Sequence, residues 1–348
     1  MQIALEAEGL KPDQRKKLAS QEKKLLKKNA RQWLGTLAPY LIDQKDFEAS
    51  WRGPKGYEYK FARGLLDTIS MQDFSLMFGH LLKNSTDCRT LRHLIIDQTP
   101  WVEEPVVIDG KSYGDESGID TLVGAKFDNL RTFQLGEDDS NCHTQAGEGF
   151  TDIVKSMPRL ENLTLMAHGV DTKKLFKMKM PNLKLLIVHH LTDYPIEILA
   201  KNKSMSKLET LKMNAHGLEP DDEDAYLRFE HIKAIGRSKN LGALKNLQLR
   251  GSDIGNPGIE EIIKSGLLGR LDVLDLQYGC VTDEGVDLLV EASEFSDLKS
   301  LNLNGNAITK AGVAKLKKSR VKFTATEQFN PETIDDEERE YLWFGDPE

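Results

Sequence analysis

Apolar positions between residues 244 and 316 recur with a step of 27 residues. Leu244, Leu271 and Leu298 are in register, as are Leu247, Leu274 and Leu301, and Leu249, Leu276 and Leu303. Ile254, Val281 and Ile308 follow the same step, then Gly258, Gly285 and Gly312, then Ile262, Leu289 and Leu316. Within one period two spacings succeed each other. The alternation at Leu247 and Leu249 predicts a strand, with Asn246, Gln248 and Arg250 facing the other way. The i, i+3 pairs Ile259 with Ile262, Val286 with Leu289 and Val313 with Leu316 predict a helix on the sheet. Thr282 and Thr309 stand where a helix N-cap is wanted, and Asn256-Pro257 reads as a cap followed by an N1 proline. The glycines fall in the first helical turn, where a missing side chain allows close packing on the next helix.

The strand signature L-x-x-L-x-L occurs eight times, beginning at Leu91, Leu130, Leu160, Leu183, Leu208, Leu244, Leu271 and Leu298. The intervals are 39, 30, 23, 25, 36, 27 and 27 residues, so the front half is irregular and the back half regular. A strand and a helix per period of this length is a leucine-rich repeat. The expected fold is α/β, a leucine-rich-repeat solenoid or horseshoe with a parallel sheet on the concave face and helices on the convex face. Its pattern is most like the ribonuclease-inhibitor type. Long intervals mark insertions, notably Trp101–Ser117 and the acidic Glu219–Asp224. Val321–Thr324 reads as a last strand, and Leu66–Ile69 as a first one. Three domains are expected: a helical segment over 1–66, repeats over 67–326 and an acidic tail over 327–348. Asp335, Asp336, Glu337, Glu338 and Glu340 make the tail acidic, and Tyr341-Leu342-Trp343-Phe344 is expected to dock on the last repeat.

Ahead of the repeats, Leu18, Leu25 or Leu26, Ala30, Trp33 and Leu37 form a core-facing helical stripe, with Pro39 as the break. Lys16, Lys23, Lys27 and Arg31 lie on the opposite face. The words Gln2–Glu6 (QIALE), Gln21–Leu26 (QEKKLL) and Trp33–Pro39 (WLGTLAP) resemble the bacterial repeat-companion domain, with Phe61–Leu65 (FARGL) as its closing motif. That domain precedes leucine-rich-repeat arrays in bacterial proteins, so the resemblance implies a bacterial chain with a helical cap and carries no reaction. Members of the family have a further helical stretch before the QIALE-like word, which leads us to expect sequence upstream of Met1.

Strand alternation locates the candidate surface. The outward positions form three rows. The first is His93, Thr132, Asn162, Leu185, Thr210, Asn246, Val273 and Ser300. The second is Ile95, Gln134, Thr164, Ile187, Lys212, Gln248, Asp275 and Asn302. The third is Asp97, Gly136, Met166, His189, Asn214, Arg250, Gln277 and Asn304. We take the partner-binding residues to be Met166, Leu185, Ile187, His189, Lys212, Asn214, Gln248, Arg250, Gln277 and Tyr278, the last as an aromatic anchor.

Composition narrows the function. Charged residues are 29% and aromatics 7%, the net charge is −8, and no apolar run approaches a membrane span. No continuous apolar region reads as a signal peptide. Cys88, Cys142 and Cys280 are far apart and read as reduced thiols, which points to the cytoplasm. The adjacent Cys142-His143 is not a catalytic pair by virtue of adjacency. His168, His189, His190 and His216 fall on adjacent repeats without a completing carboxylate or thiolate. His168 and His216 occupy the ninth repeat position, held elsewhere by Asn306, and a structural role is expected there. No metal, no cofactor and no catalytic motif is expected. The favoured reading is a monomeric, non-catalytic scaffold binding a protein on its concave face. The alternatives are nucleic-acid or anionic-membrane contact by the Lys-rich N-terminal helix, with nucleic acid disfavoured by net charge, and an enzyme of unrecognised site.

Overall fold

The computed structural model describes residues 11–45, 56–100, 102–137, 144–191, 194–215, 227–334 and 340–345. Gln2–Glu6, Trp101, Cys142, His143, His216, the acidic 219–224 segment and the acidic run 335–338 lie outside the described residues. The chain divides into two compact units, Met1–Leu160 and Glu161–Glu348.

In the first unit, helix α1 (Pro12–Leu34) starts with Pro12 at N1 and Lys11 N–H donating 3.1 Å to Gln14 Oε1. Only Ala30 and Leu34 of α1 are buried. The expected stripe is therefore corrected: Leu18 and Leu26 are half-buried, while Leu25 and Trp33 stay 43% and 42% exposed. The break also moves. It falls at Gly35, whose φ of 50° a residue with a Cβ adopts with strain, and Pro39 instead sits in the first turn of α2 (Ala38–Leu41).

Strand β1 (Tyr57–Ala62) pairs antiparallel with β2 (Leu65–Asp73). The expected first strand is thus the second arm of a hairpin. Its two-residue turn, Arg63-Gly64, has φ of 55° and 81°, the pair of positive angles that matches strand twist in a tight hairpin. Residue 66, where the helical segment was expected to end, falls inside β2. Helix α3 (Leu76–Asn84), capped by Ser75 Oγ accepting from Phe78 N–H, leads to β3 (His93–Gln98), parallel to β2. The 101–117 insertion forms a small hairpin of β4 (Val106–Ile108) and β5 (Lys111–Tyr113). Strand β6 (Thr132–Leu135) then pairs parallel with β3, and α4 (Phe150–Lys155) closes the unit. Leu91, Leu94, Ile96, Leu130, Phe133 and Leu135 are fully buried, as the alternation predicts.

The second unit is built on a parallel sheet ordered β7 (Asn162–Met166), β8 (Leu185–Leu191), β9 (Thr210–Ala215), β11 (Asn246–Arg250), β13 (Val273–Asp275), β14 (Ser300–Asn302) and β15 (Lys322–Thr324). A side ribbon of β10 (Leu227–Arg228) and β12 (Ser252–Asp253) lies outside that order. Helices α5 (Thr172–Lys177), α6 (Ile196–Lys201), α7 (Phe229–Gly236), α8 (Gly255–Lys264), α9 (Asp283–Glu291) and α10 (Lys310–Leu316) follow successive strands. Leu186, Leu211, Leu274, Ile232, Ile262 and Leu289 are fully buried and fill the space between sheet and helices.

Side chains stitch one repeat to the next. Thr282 and Thr309 cap α9 and α10 as expected, accepting from Glu284 N–H and Ala311 N–H. Asn256 does something else. It lies within the first turn of α8, whose N-cap is Ile254, and its Oδ1 accepts from Thr282 N–H at 3.1 Å and Gly285 N–H at 3.0 Å. A repeat later, Asp283 Oδ1 accepts from Thr309 N–H at 2.8 Å. A Cβ on Gly285 would stand 2.6 Å from Asn256 Oδ1, and one on Gly312 would collide with Asp283. These glycines are therefore spaces for the preceding repeat's cap. Asn306, fully buried, accepts from Gly279 and Val281 N–H and donates to the Leu276 and Asn304 carbonyls.

The C-terminal segment docks on this unit. Ile334, Tyr341 and Leu342 are buried, and Tyr341 in α11 (Glu340–Gly345) donates 2.8 Å to Asp253 Oδ1. Docking was expected on the last repeat. It reaches back to β12, because Asp253 offers a partner that the buried phenol needs.

Candidate functional site: the open face of the second-unit sheet

The outward rows are in register across the second unit. Asn162, Leu185, Thr210, Asn246, Val273 and Ser300 face one another in turn, with Lys322 completing the row. Thr164, Ile187, Lys212, Gln248, Asp275 and Asn302 do the same, ending at Thr324. In the first unit His93 faces Thr132 and Ile95 faces Gln134.

Lateral hydrogen bonds fix much of this face. Asn246 Nδ2 donates to Thr210 Oγ1 at 3.0 Å, and Gln248 Nε2 to Asn214 Oδ1 at 3.1 Å. Asn214 Nδ2 lies 3.3 Å from His189 Nδ1, so amides and imidazole form one rung across β8, β9 and β11. Further along, Asn302 Nδ2 donates to Asp275 Oδ2 at 3.1 Å, and the Thr324 hydroxyl to Asn302 Oδ1 at 2.9 Å. Gln277 donates to Asp275 through both its backbone N–H and its side chain, each at 3.2 Å. Burial pushes the Asp275 carboxyl above its ordinary range, opposed by the bonds from Gln277 and Asn302 and by Lys212.

At the β13 end the Arg250 guanidinium sits 5.2 Å from the Tyr278 ring centroid. Tyr278, at φ 53°, donates its hydroxyl to Glu327 Oε2 at 3.4 Å and meets the Phe329 ring at 6.5 Å. Phe329 in turn meets Phe344 at 5.7 Å. Gly305, at φ 62°, leaves the space in which the Tyr278 ring lies. Burial raises the Tyr278 phenol's pKa, and Glu327 pushes the same way against Arg250.

The structure sorts the ten candidates. Leu185, Ile187, Lys212, Gln248, Arg250, Gln277 and Tyr278 are half-buried on this face. Met166, His189 and Asn214 are buried, at 8%, 5% and 3% exposure. The burial of the last two has a cause. They sit at the strand ends, where Asn214 is held by His189 and Gln248 and its carbonyl accepts the buried Tyr194 hydroxyl. Tyr278 is less an open anchor than a ring clasped between Arg250 and the C-terminal segment. Sequence reasoning passed over Asp275 and Asn302, although both stand in the second row. Glu327 and Phe329 follow the last strand, where the period no longer signals anything.

Among the described residues no cluster of three or more His, Cys, Asp or Glu could hold a metal ion, and no helix is long and apolar enough to cross a membrane.

Comparison with known proteins places the fold. The leucine-rich-repeat family model matches residues 296–317, over the third regular period. The crystal structure of a Bacteroides fragilis protein is 18% identical, with a TM-score of 0.53 over 77% of this chain and 78% of that one. An internalin of Listeria monocytogenes is 15% identical, with a TM-score of 0.42 over 75% of this chain and 68% of that one. In the yeast Rad7–Elc1 complex, a 13% identical chain has a TM-score of 0.44, covering 72% of this chain and 63% of its own. No curated protein matches the sequence. With repeats in register and a family model matching one of them, the chain has the leucine-rich-repeat fold.

Proposed function

We propose that the chain is a non-catalytic, cytoplasmic and monomeric scaffold that binds a protein partner on the open sheet face of its second unit. The observation carrying this reading is the row of side chains held in register from β7 to β15, with apolar Leu185 and Ile187 beside Lys212, Gln248 and Arg250. A face braced by its own lateral bonds loses little side-chain entropy when a partner docks, which favours affinity. Leu185 and Ile187 supply area to desolvate, and Lys212 and Arg250 supply orientation. We further propose that 1–66 serves as a cap, 67–326 as the binding array and 327–348 as a strap over its last periods.

The test is a combined Gln248→Glu, Arg250→Glu and Gln277→Glu variant, compared with wild type for capture of specific partners identified by mass spectrometry. Loss of the same partners at an unchanged melting temperature supports the face. Retained capture moves the site to the loops or the strap.

One observation favours a second reading. Helix α1 and its N-cap Lys11 carry nine Lys or Arg up to Arg31, and the helix buries only Ala30 and Leu34. Contact with nucleic acid or anionic lipid predicts retention on RNA or anionic vesicles that falls steeply with salt. Absence of retention at low salt removes it.

A further inference from the structure

We propose that the groove between α6 and α7, on the helical side of the second unit, binds an acidic peptide segment bearing apolar side chains. The groove is open to solvent and offers about 690 Å³, room for several side chains and well beyond a lone anion. Its rim is basic. Lys201 leaves the end of α6, Lys203 the short turn after it, Lys233 the middle of α7 and Lys239 the turn beyond. Among the described residues, none of these four ammonium groups has a carboxylate within ion-pair distance, whereas Lys155, Lys184, Lys264, Lys299 and Lys315 each do. Glu197 and Glu230 are the acids of the lining, so the rim keeps a surplus of positive charge.

The floor is apolar and rigid. Ala200 and Ala234 are small enough to leave the space open, and lysine stems add methylene surface. The polar groups nearby are turned to the backbone. Ser238 Oγ donates to the Ala200 carbonyl at 2.6 Å and Asn240 Nδ2 to the same oxygen at 2.9 Å, which ties the two repeats together.

The chemistry selects the occupant. The guanidinium in the lining, Arg237, is held by Glu261 through Nε at 2.6 Å and Nη2 at 3.0 Å. One edge of that guanidinium is thus committed to a carboxylate of the protein itself, and no aromatic ring lines the groove to stack a base. Lysines spread over two repeats instead read several carboxylates along a chain, while the floor takes an apolar side chain between them. This site is separate from the open sheet face and does not depend on that face binding anything.

The experiment uses the full chain and a fluorescein-labelled random copolymer of glutamate and tyrosine, followed by anisotropy. Binding should weaken at least tenfold in the Lys201→Glu, Lys233→Glu, Lys239→Glu variant. It should weaken at least threefold in the matching glutamine triple, which decides the matter if the charge reversal fails to fold. Polyglutamate without tyrosine should bind more weakly. A Lys16→Glu, Lys23→Glu, Lys27→Glu variant on α1 should bind as wild type. The proposal is overturned if both groove triples bind unchanged, if the α1 variant loses as much, or if polyuridylate binds more tightly than the copolymer through the same lysines.

Discussion

Asn306 shows how much a repeat protein can ask of one side chain. Its amide satisfies two buried N–H groups and two carbonyls in the turns beside it. A buried polar group left unsatisfied costs about 1–3 kcal/mol. Asn306→Ala should therefore destabilise the protein by about 3 kcal/mol, read from urea unfolding. Gly312→Ala should cost about 1–3 kcal/mol, since the new methyl must displace Asp283 from the cap of α10. A double-mutant cycle with Asp283→Ala should show coupling, and strict additivity would contradict this account. Asp275 gives a pH signature. Its folded pKa lies above the unfolded value of about 3.9. Below that value both states are protonated and the stability is fully present. As pH rises through the folded pKa the half-dry carboxyl must ionise, and the stability is lost. Against Asp275→Asn, wild type should lose ground as pH rises from about 4. Parallel urea-midpoint curves for the two proteins would rule this out.

Among the elements, α1 departs furthest from its periodicity. Of the stripe Leu18, Leu25 or Leu26, Ala30, Trp33 and Leu37, Ala30 and Leu37 are buried, whereas Leu25 and Trp33 are exposed. Leu34, outside the stripe, is buried where the chain turns at Gly35. Trp33 packs one edge on Phe61 at 5.6 Å and leaves the rest of its ring to solvent. Leu34→Ala should cost about 2–5 kcal/mol, and Trp33→Ala distinctly less, in thermal or urea melts. The reverse order would restore the stripe as read from spacing. Of the hairpin of β1 and β2, only the second arm was read, at Leu66–Ile69. Tyr57–Ala62 does alternate aromatic with charged residues, but it carries no leucine of the repeat signature, and Arg63-Gly64 turns it onto β2. The regular periods were legible down to their caps, apart from Asn256, which serves Thr282 and Gly285 in place of its own helix.

In the second unit as a whole, the C-terminal segment belongs to the sheet's surroundings. Tyr341 donates to Asp253 from 88 residues away, and Phe329 and Glu327 close on Tyr278. Removing the anchor by Tyr341→Ala should speed limited proteolysis beyond residue 327 and lower stability by about 3–5 kcal/mol. Unchanged cleavage would mean the segment is held elsewhere. A partner that docks on Arg250 and Gln277 would meet this strap, so its affinity should change in the Tyr341 variant.

The period by itself determined the strands, their register and which side chains leave the core. Alternation on a strand and a 3.6-residue turn on a helix are local rules that each repeat obeys without reference to the others. Only the tertiary structure decided which outward side chains stay within reach of solvent. Leu185, Ile187, Lys212, Gln248 and Arg250 lie partly open, whereas His189 and Asn214 are buried among lateral bonds, and Tyr278 is clasped from outside the period. The clasp on Tyr278 and the anchor at Asp253 rest on contacts 49 and 88 residues apart with a segment beyond the last period, which a local repeat does not encode.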